Sequence, residues 1–236
     1  MSLGLYLHIP YCFSKCRYCD FYSHPGERGV PDAYVDALLR ELSRFAPEAP
    51  LQPDTLYFGG GTPSLLRPEQ AKRLIDAARP MPGAEITLEA NPETVTEQSL
   101  AGFRAAGVNR ISVNPQSFHD KTLQVIGRRH SVRDFYNAYE LVRKSRIPVV
   151  NVDLIIGLPQ ETEQEIAYSL EQAVKLAPEN LTVHTLTLKR SAPLFQKQEQ
   201  AVLTTQAAEK MVQRAAEMAA AIGLEPYYLY RQHYML

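Results

Sequence analysis

The chain has 236 residues, of which 45% are hydrophobic and 22% charged, as in globular rather than disordered proteins. Its 25 Lys and Arg residues nearly balance its 26 Asp and Glu residues, so no basic surface for nucleic acid is predicted. No apolar run approaches the ~18 residues of a membrane span, and the three cysteines all lie in one short segment, which excludes a secreted disulfide framework.

Strand and helix patterns alternate along the chain. A first strand at residues 3–10 precedes an irregular segment that contains the cysteines, and a helix then runs from residue 32 to about residue 45. Further strands are predicted at residues 55–58, 85–90, 110–113, 149–156 and 181–188. Further helices are predicted at residues 68–78, 96–106, 119–126, 132–145, 162–176 and 204–222.

Six strand–helix units in series predict an α/β fold with parallel strands and helices packed outside them. The strands are nearly continuous apolar runs, as expected when both sheet faces are covered. An open doubly wound sheet and a barrel both fit this pattern. We expect a single domain over residues 1–236, with a tail after about residue 189. Its abrupt start and apolar end indicate a fragment of a longer protein.

Unusual residues cluster just after the predicted strands. They form the cysteine loop at residues 11–24 and the short segments 59–63, 89–92, 114–116 and 157–159. The carboxyl ends of parallel strands are where α/β folds bind ligands. We therefore expect these segments to form one composite binding site.

The spacing of Cys12, Cys16 and Cys19 suits ligands that wrap a single metal centre. A [4Fe–4S] cluster has four irons, so three cysteines would leave one iron free to bind a small molecule. Structural zinc takes four protein ligands, and His8 or His24 would have to complete such a site. Three free core thiols are the remaining interpretation.

The loop Cys-x3-Cys-x2-Cys after a short first strand resembles the radical S-adenosylmethionine (SAM) superfamily. Further segments, in the same order, resemble its oxygen-independent coproporphyrinogen III oxidase/dehydrogenase family, especially the HemZ-like branch and also the haem-chaperone relatives. These segments are Tyr57-Phe-Gly-Gly-Gly-Thr-Pro63, Leu88-Glu-Ala-Asn-Pro92, Arg110-Ile-Ser-Val-Asn-Pro-Gln-Ser-Phe118, Gly127-Arg-Arg-His130 and Asn151-Val-Asp-Leu-Ile-Ile-Gly-Leu-Pro159. The resemblance implies a partial (β/α)6 barrel with parallel strands and outer helices.

The resemblance also implies the cofactors and their ligands. Cys12, Cys16 and Cys19 would hold a [4Fe–4S] cluster whose open iron binds SAM. The implied SAM contacts are Tyr6, Tyr18, Gly60, Gly61, Thr62, Glu89, Gln116, Arg128, Asp153 and Thr187. No side chain is assigned as a direct acid or base, because the cofactor carries the chemistry.

Several of these contacts have a defined role in the implied site. Glu89 would pair with the SAM amino group, and a salt bridge to an arginine is its ordinary structural alternative. Asp153, inside an apolar strand, would bind the ribose hydroxyls, and Tyr18 would lie against the adenine. Gln116 and Arg128 would hydrogen-bond other SAM groups.

The implied activity is reductive cleavage of SAM and oxidative decarboxylation of coproporphyrinogen III to protoporphyrinogen IX in haem biosynthesis. The implied partners are a porphyrinogen or haem-like molecule and an electron donor such as flavodoxin or ferredoxin, in the reducing cytoplasm. The alternatives are a haem-trafficking protein of the same fold and a radical SAM enzyme with another substrate. One departure bears on this choice, because Phe21 stands where the well-studied oxidases have another cysteine.

Overall fold

The computed structural model describes residues 2–26, 29–45, 51–187, 192–196 and 204–228. The strands are β1 (Gly4–Ile9), β2 (Tyr11–Cys12), β3 (His24–Pro25), β4 (Thr55–Gly60), β5 (Glu85–Ala90), β6 (Arg110–Val113), β7 (Val149–Ile156) and β8 (Asn180–Thr185). The helices are α1 (Asp32–Phe45), α2 (Pro68–Ala78), α3 (Glu97–Ala106), α4 (Asp120–Val125), α5 (Val132–Ser145), α6 (Glu163–Lys175), α7 (Pro193–Gln196) and α8 (Thr205–Ala221).

Six of the strands form one sheet in their order along the chain, β1-β4-β5-β6-β7-β8. The pairs β1–β4, β4–β5 and β7–β8 are parallel, and at least one helix separates each strand of this sheet from the next along the chain. The predicted α/β class with parallel strands and surrounding helices is confirmed. No helix in the described part of the chain is long and apolar enough to cross a membrane.

Most predicted boundaries agree with the structure to within two or three residues, and the main difference lies in β4. This strand continues to Gly60 instead of ending at Phe58, because Gly59 and Gly60 pair with His8 and Ile9 of β1. At the other end of the sheet, β8 ends at residue 185. The apolar pattern of residues 227–230 also predicts a strand, but residues 227 and 228 are not in one, and residues 229 and 230 lie outside the described residues.

The described residues divide into two compact units. The first unit contains the described residues of segments 1–15, 21–112 and 137–149. The second unit contains the described residues of segments 16–20, 113–136 and 150–236. The cysteine loop contributes to both units, because Cys12 belongs to the first and both Cys16 and Cys19 to the second. That the chain forms a single domain stays a prediction.

One face of the sheet in the first unit is covered by an apolar core. Leu7, Phe58 and Leu88 are in register across β1, β4 and β5, and all three are buried. Val35 of α1 and Leu74 of α2 are fully buried in the same cluster. The apolar residues of these helices recur at helical spacing, so each helix packs one face against the strands. This packing fixes the strands that carry the candidate site.

The opposite sheet face is polar, in contrast to the continuous apolar strands expected from the sequence. Because side chains alternate between faces along a strand, Tyr6, Tyr57 and Thr87 form a row opposite the apolar core. In the second unit, Asp153 and Thr182 are partners in the register of β7 and β8. Polar residues therefore lie along the strands as well as after their ends.

We expect Phe58→Ala to lower the free energy of unfolding by about 3–5 kcal/mol, because it leaves a cavity in a packed core. Urea denaturation followed by circular dichroism measures this loss. Tyr227→Ala is the matched control, because its ring is 75% exposed and its removal should change stability by less than ~0.5 kcal/mol. Equal losses in the two variants would contradict the assignment of Phe58 to the core.

Candidate functional site

The cysteine loop begins next to the end of β1. Tyr11 and Cys12 pair in parallel with His24 and Pro25, so the two ends of the loop are joined by β2 and β3. The backbone N–H of His24 also donates to the Pro10 carbonyl at 2.6 Å. The loop therefore has a defined base in the first unit, and Cys12 lies at that base.

Gly61 lets the end of β4 approach this base closely. Its N–H donates to the Ile9 carbonyl, and the N–H of Thr62 donates to the Tyr11 carbonyl, both at 2.8 Å. A Cβ atom on Gly61 would lie 2.7 Å from the Tyr11 carbonyl oxygen, which is too close. Gly60 adopts a φ of +112°, which favours glycine. These glycines thus serve a contact within the chain, and their predicted contact with SAM stays a prediction.

The Thr62 hydroxyl points towards the first cysteine. It accepts a hydrogen bond from Asn91 Nδ2 at 3.1 Å, and its own hydrogen is donated to Cys12 Sγ at 3.5 Å. Thr62 is buried, so this geometry is shielded from bulk water. A hydroxyl donor suits a sulfur that carries negative charge as a metal ligand.

Glu89 lies at the carboxyl end of β5, on the polar face. Its Oε1 accepts a hydrogen bond from the Tyr57 hydroxyl at 2.7 Å. The Tyr6 ring stacks on the Tyr57 ring, with centroids 6.0 Å apart. Burial, together with the negative charge of Glu89, raises the pKa of Tyr6 to about 12, so this phenol keeps its proton at neutral pH. The first unit therefore brings Tyr6 and Glu89 together, as predicted for neighbouring parts of one site.

In the second unit, Cys16 lies beside Arg128. Arg128 Nη1 donates to Cys16 Sγ at 3.7 Å, while its Nη2 donates to the Asn114 carbonyl at 2.8 Å. The neighbouring residue Arg17 fixes the loop, because its N–H donates to the Ile126 carbonyl at 2.9 Å. Arg128 is thus held at the cysteine loop and is not the solvated surface charge that its neighbour Arg129 would suggest.

Tyr18 packs against the apolar cluster at the end of β7. This cluster consists of Leu123, Ile126, Ile155, Leu158 and Leu186. Burial raises the pKa of the Tyr18 phenol, an effect that the charge of Arg128 opposes and that Cys16, Cys19 and Asp153 reinforce. The structure therefore places Tyr18 among four predicted site residues of the second unit.

Gln116 and Asp153 are joined by the backbone. Gln116 N–H donates to the Asp153 carbonyl at 3.1 Å, and Ile155 N–H donates to the Gln116 carbonyl at 3.0 Å. The Asp153 side chain accepts a hydrogen bond from Asn151 Nδ2 at 2.5 Å, and Asn151 Oδ1 accepts one from Thr182 Oγ1 at 2.9 Å. This chain of polar groups orients the Asp153 carboxylate, as the predicted ribose contact requires.

Two buried side-chain oxygens in the second unit have no hydrogen-bond partner among the described residues. They are Gln116 Oε1 and Thr187 Oγ1. A buried oxygen without a partner costs about 1–3 kcal/mol, and a bound ligand that donates a hydrogen bond would remove this cost. Both residues were predicted to contact SAM, and the amino and ribose groups of SAM are such donors. The polar groups that are present therefore fit this cofactor.

The three cysteines are free thiols, each partly exposed. Among the described residues, no three His, Cys, Asp or Glu side chains are arranged to hold a single metal ion. The structure therefore does not support zinc completed by His8 or His24. A cluster of four irons is bound at its separate irons rather than at one point, so cluster binding by the cysteines stays a prediction.

One buried acid was missed by the sequence analysis. Glu161 is 1% exposed and follows the Gly157–Pro159 turn, and Ser117 Oγ donates to its Oε1 at 2.5 Å. Burial raises the pKa of Glu161 to about 7. The sequence signal was available but weak, because a glutamate just before a predicted helix normally suggests a solvated position.

Fold and site together define an α/β protein with a three-cysteine loop after its first parallel strand and polar groups at later strand ends. Residues 6–173 match the profile of the Radical SAM superfamily. The chain belongs to this superfamily, whose members use a [4Fe–4S] cluster and SAM. The resemblance identified from the motifs is confirmed.

The individual relatives belong to one branch of the superfamily. The chain is 37% identical to the oxygen-independent coproporphyrinogen-III oxidase-like protein HemZ of Bacillus subtilis, covering 100% of this chain and 49% of HemZ. It is 40% identical to the heme chaperone HemW of Escherichia coli, covering 79% of this chain and 51% of HemW. The chain spans about half the length of these relatives.

A solved structure of the same superfamily also resembles this chain. The coproporphyrinogen III oxidase HemN of Escherichia coli superposes with a TM-score of 0.82 and 27% sequence identity, over 94% of this chain and 53% of HemN. The strand order and the cysteine loop described above therefore belong to a fold that is already known in an oxidase of this superfamily.

We expect Gly61→Ala to lower the free energy of unfolding by about 1–3 kcal/mol, because the new methyl group breaks the two backbone hydrogen bonds between β4 and the loop base. Urea denaturation measures this loss. Gly29→Ala is the control, because a Cβ there would lie 3.9 Å from its nearest neighbour. If Gly61→Ala were as stable as Gly29→Ala, the close approach would not constrain the loop.

Proposed function

We propose that this chain is the SAM-cleaving core of an enzyme that oxidatively decarboxylates coproporphyrinogen III to protoporphyrinogen IX. The similarity of the fold to coproporphyrinogen III oxidase, over nearly the whole chain, is the observation that carries this proposal. The residues implied by the motifs support it, because the second unit contains buried oxygens that fit a donor-rich cofactor.

In the proposed site, Cys12, Cys16 and Cys19 hold the cluster and leave one iron for SAM. The bound cluster and SAM together supply the one-electron chemistry that abstracts a hydrogen atom from the substrate. The Thr62 hydroxyl and the Arg128 guanidinium donate hydrogen bonds to two of the sulfurs. These donors stabilise negative charge on the sulfur ligands.

Residues of the first unit would bind the amino-acid end of SAM. Glu89 faces the SAM ammonium group, and its carboxylate is oriented by the Tyr57 hydroxyl. The backbone at Gly60 and Gly61 lines the methionine part. Tyr6 keeps its proton at neutral pH and therefore acts as a hydrogen-bond donor beside Glu89.

Residues of the second unit would bind the nucleoside end. Asp153 accepts hydrogen bonds from the ribose hydroxyls, and the apolar cluster beneath Tyr18 supports its ring against the adenine. Gln116 Oε1 and Thr187 Oγ1 gain the partners they lack. Arg128 would be the remaining SAM contact of this unit, since it already donates hydrogen bonds to Cys16 of the cysteine loop and to the Asn114 carbonyl.

The proposed reaction would convert each of two propionate groups to a vinyl group, with loss of CO2, a hydrogen atom and one further electron. The hydrogen atom would be taken up on cleavage of SAM, and the further electron would pass to an external one-electron acceptor. An external one-electron donor such as flavodoxin or ferredoxin starts each cleavage of SAM. The free thiols of the loop and this reductant both require a reducing compartment, so we propose a cytoplasmic location.

A second candidate function is binding and transfer of haem, and two observations favour it. Phe21, in place of the further cysteine of the oxidases, matches the loop of the haem-chaperone relatives, and the chain is similar to HemW. His24 is exposed next to Tyr22, with ring centroids 5.2 Å apart. An exposed imidazole beside an aromatic ring offers a ligand to haem iron.

Cys16→Ser should abolish cluster assembly while leaving the protein folded, because most of the core lies elsewhere. Anaerobic reconstitution followed by iron and sulfide analysis should give about four irons per chain in the parent protein and none that is stable in the variant. Ser14→Ala, in the same loop, is the matched control and should assemble the cluster. Uptake of one zinc per chain, with no iron, would contradict the proposed function.

The two candidate functions differ in what happens to a tetrapyrrole. We expect the full-length protein that contains this chain, with reductant, SAM and coproporphyrinogen III, to release CO2 and form protoporphyrinogen IX. Mass spectrometry and gas analysis measure both products. SAM cleavage without decarboxylation would reject the oxidase, and a haem spectrum that is lost in His24→Ala would then support haem binding.

A further inference from the structure

The turn that carries Gln116 is tied to a buried acid. Gln116 adopts a φ of +67°, a backbone conformation that residues other than glycine rarely take. The next residue, Ser117, is buried, and its hydroxyl donates to Glu161 Oε1 at 2.5 Å. The same hydroxyl accepts a hydrogen bond from His119 N–H at 3.2 Å, so its only hydrogen is directed to Glu161.

The surroundings of Glu161 favour a carboxylate that accepts hydrogen bonds, although burial disfavours its charge. Burial raises the pKa of Glu161 to about 7, and the negative charge of Glu165 on α6 acts in the same direction. The hydroxyls of Ser117 and of Thr122 on α4 hydrogen-bond the carboxylate and lower its pKa. The ionised group accepts hydrogen bonds from both hydroxyls, and protonation weakens these bonds because a neutral carboxylic acid is a poorer acceptor than a carboxylate.

Two backbone hydrogen bonds, to Asp153 and from Ile155, hold Gln116 on one side, and the Glu161–Ser117 contact holds the turn on the other. Gln116 Oε1 is buried without a hydrogen-bond partner among the described residues, so it is available to accept a hydrogen bond from a ligand. The strength of that hydrogen bond depends on where the turn places the oxygen. A strained turn keeps its conformation only where neighbouring contacts hold it. Ser117, which directly follows Gln116, makes the contact with Glu161, and both Ser117 and Glu161 are buried.

We infer that Glu161 is a positioning residue, which holds the Gln116 turn for SAM through Ser117 and makes SAM binding tightest when Glu161 is ionised. This inference rests on the proposed function, because Gln116 contacts SAM only in the proposed site. It adds a pH dependence that arises at a residue outside the set proposed to contact SAM.

The test is SAM affinity, measured by equilibrium dialysis on anaerobically reconstituted protein at pH 6 and pH 8. For the parent protein we expect the dissociation constant to be about tenfold higher at pH 6, because a group with a pKa of about 7 is then about nine-tenths protonated and the ionised form is the one that binds. Glu161→Gln, which imitates the neutral acid, should bind weakly at both pH values. Ser117→Ala should show the same weak binding at pH 8, and Glu163→Gln, exposed on α6, should behave like the parent protein.

The outcomes separate the inference from the proposed function. If Glu161→Gln melted at a different temperature but bound SAM like the parent protein at both pH values, Glu161 would have only a structural role and the inference would be wrong. If the reconstituted parent protein bound no SAM at either pH, the proposed function would fail as well. Comparison with Glu161→Gln removes the contributions of Glu89, Asp153 and the SAM amino group, because these groups are the same in both proteins.

Discussion

The contact between the end of β4 and the base of the cysteine loop is the constraint on which the first unit of the candidate site depends. Two backbone hydrogen bonds, from Gly61 and Thr62, join these segments, and no side chain fits between them. The same approach positions the Thr62 hydroxyl at Cys12. A backbone-to-backbone contact is well suited to this purpose, because it leaves fewer torsions free than a contact between two long side chains.

The sheet combines two requirements that usually conflict. Its helix-facing side needs large apolar residues, and Phe58 and Leu88 supply them. Glu89 lies on the polar side of the strands in the first unit, and Asp153 lies on β7 in the second unit. Each carboxylate is oriented by a hydrogen bond from a neighbouring side chain. Because strand residues alternate between faces, one strand can meet both requirements. The groups proposed to bind the ligand thus lie on strands of the sheet, where hydrogen bonds orient them before a ligand arrives.

The sequence predicted most helices and strands, but not the short elements β2, β3 and α7 or the contacts between distant segments, and its site residues stay predictions. Helices such as α2 and strands such as β5 follow from local periodicity and from proline and glycine, which act within a few residues. The cysteine spacing is local too. The Ser117–Glu161 bond joins residues 44 positions apart, and β4 is longer than predicted because it pairs with β1. Neither contact leaves a periodic pattern in a single sequence.

Within the described ranges, the buried oxygens of Gln116 and Thr187 have no hydrogen-bond partner, and the proposed SAM contacts would connect this cost of folding to binding. Each such oxygen lowers the free energy of unfolding by about 1–3 kcal/mol. An apolar side chain of similar size would avoid that loss. A ligand that supplies the missing donors would remove this cost. Part of the binding free energy would then come from satisfying these two oxygens. The turn at Gln116 adds backbone strain to the same place. The inferred role of Glu161 is to hold this turn through Ser117, so that the cost of ordering the Gln116 oxygen is met by the fold rather than by the ligand.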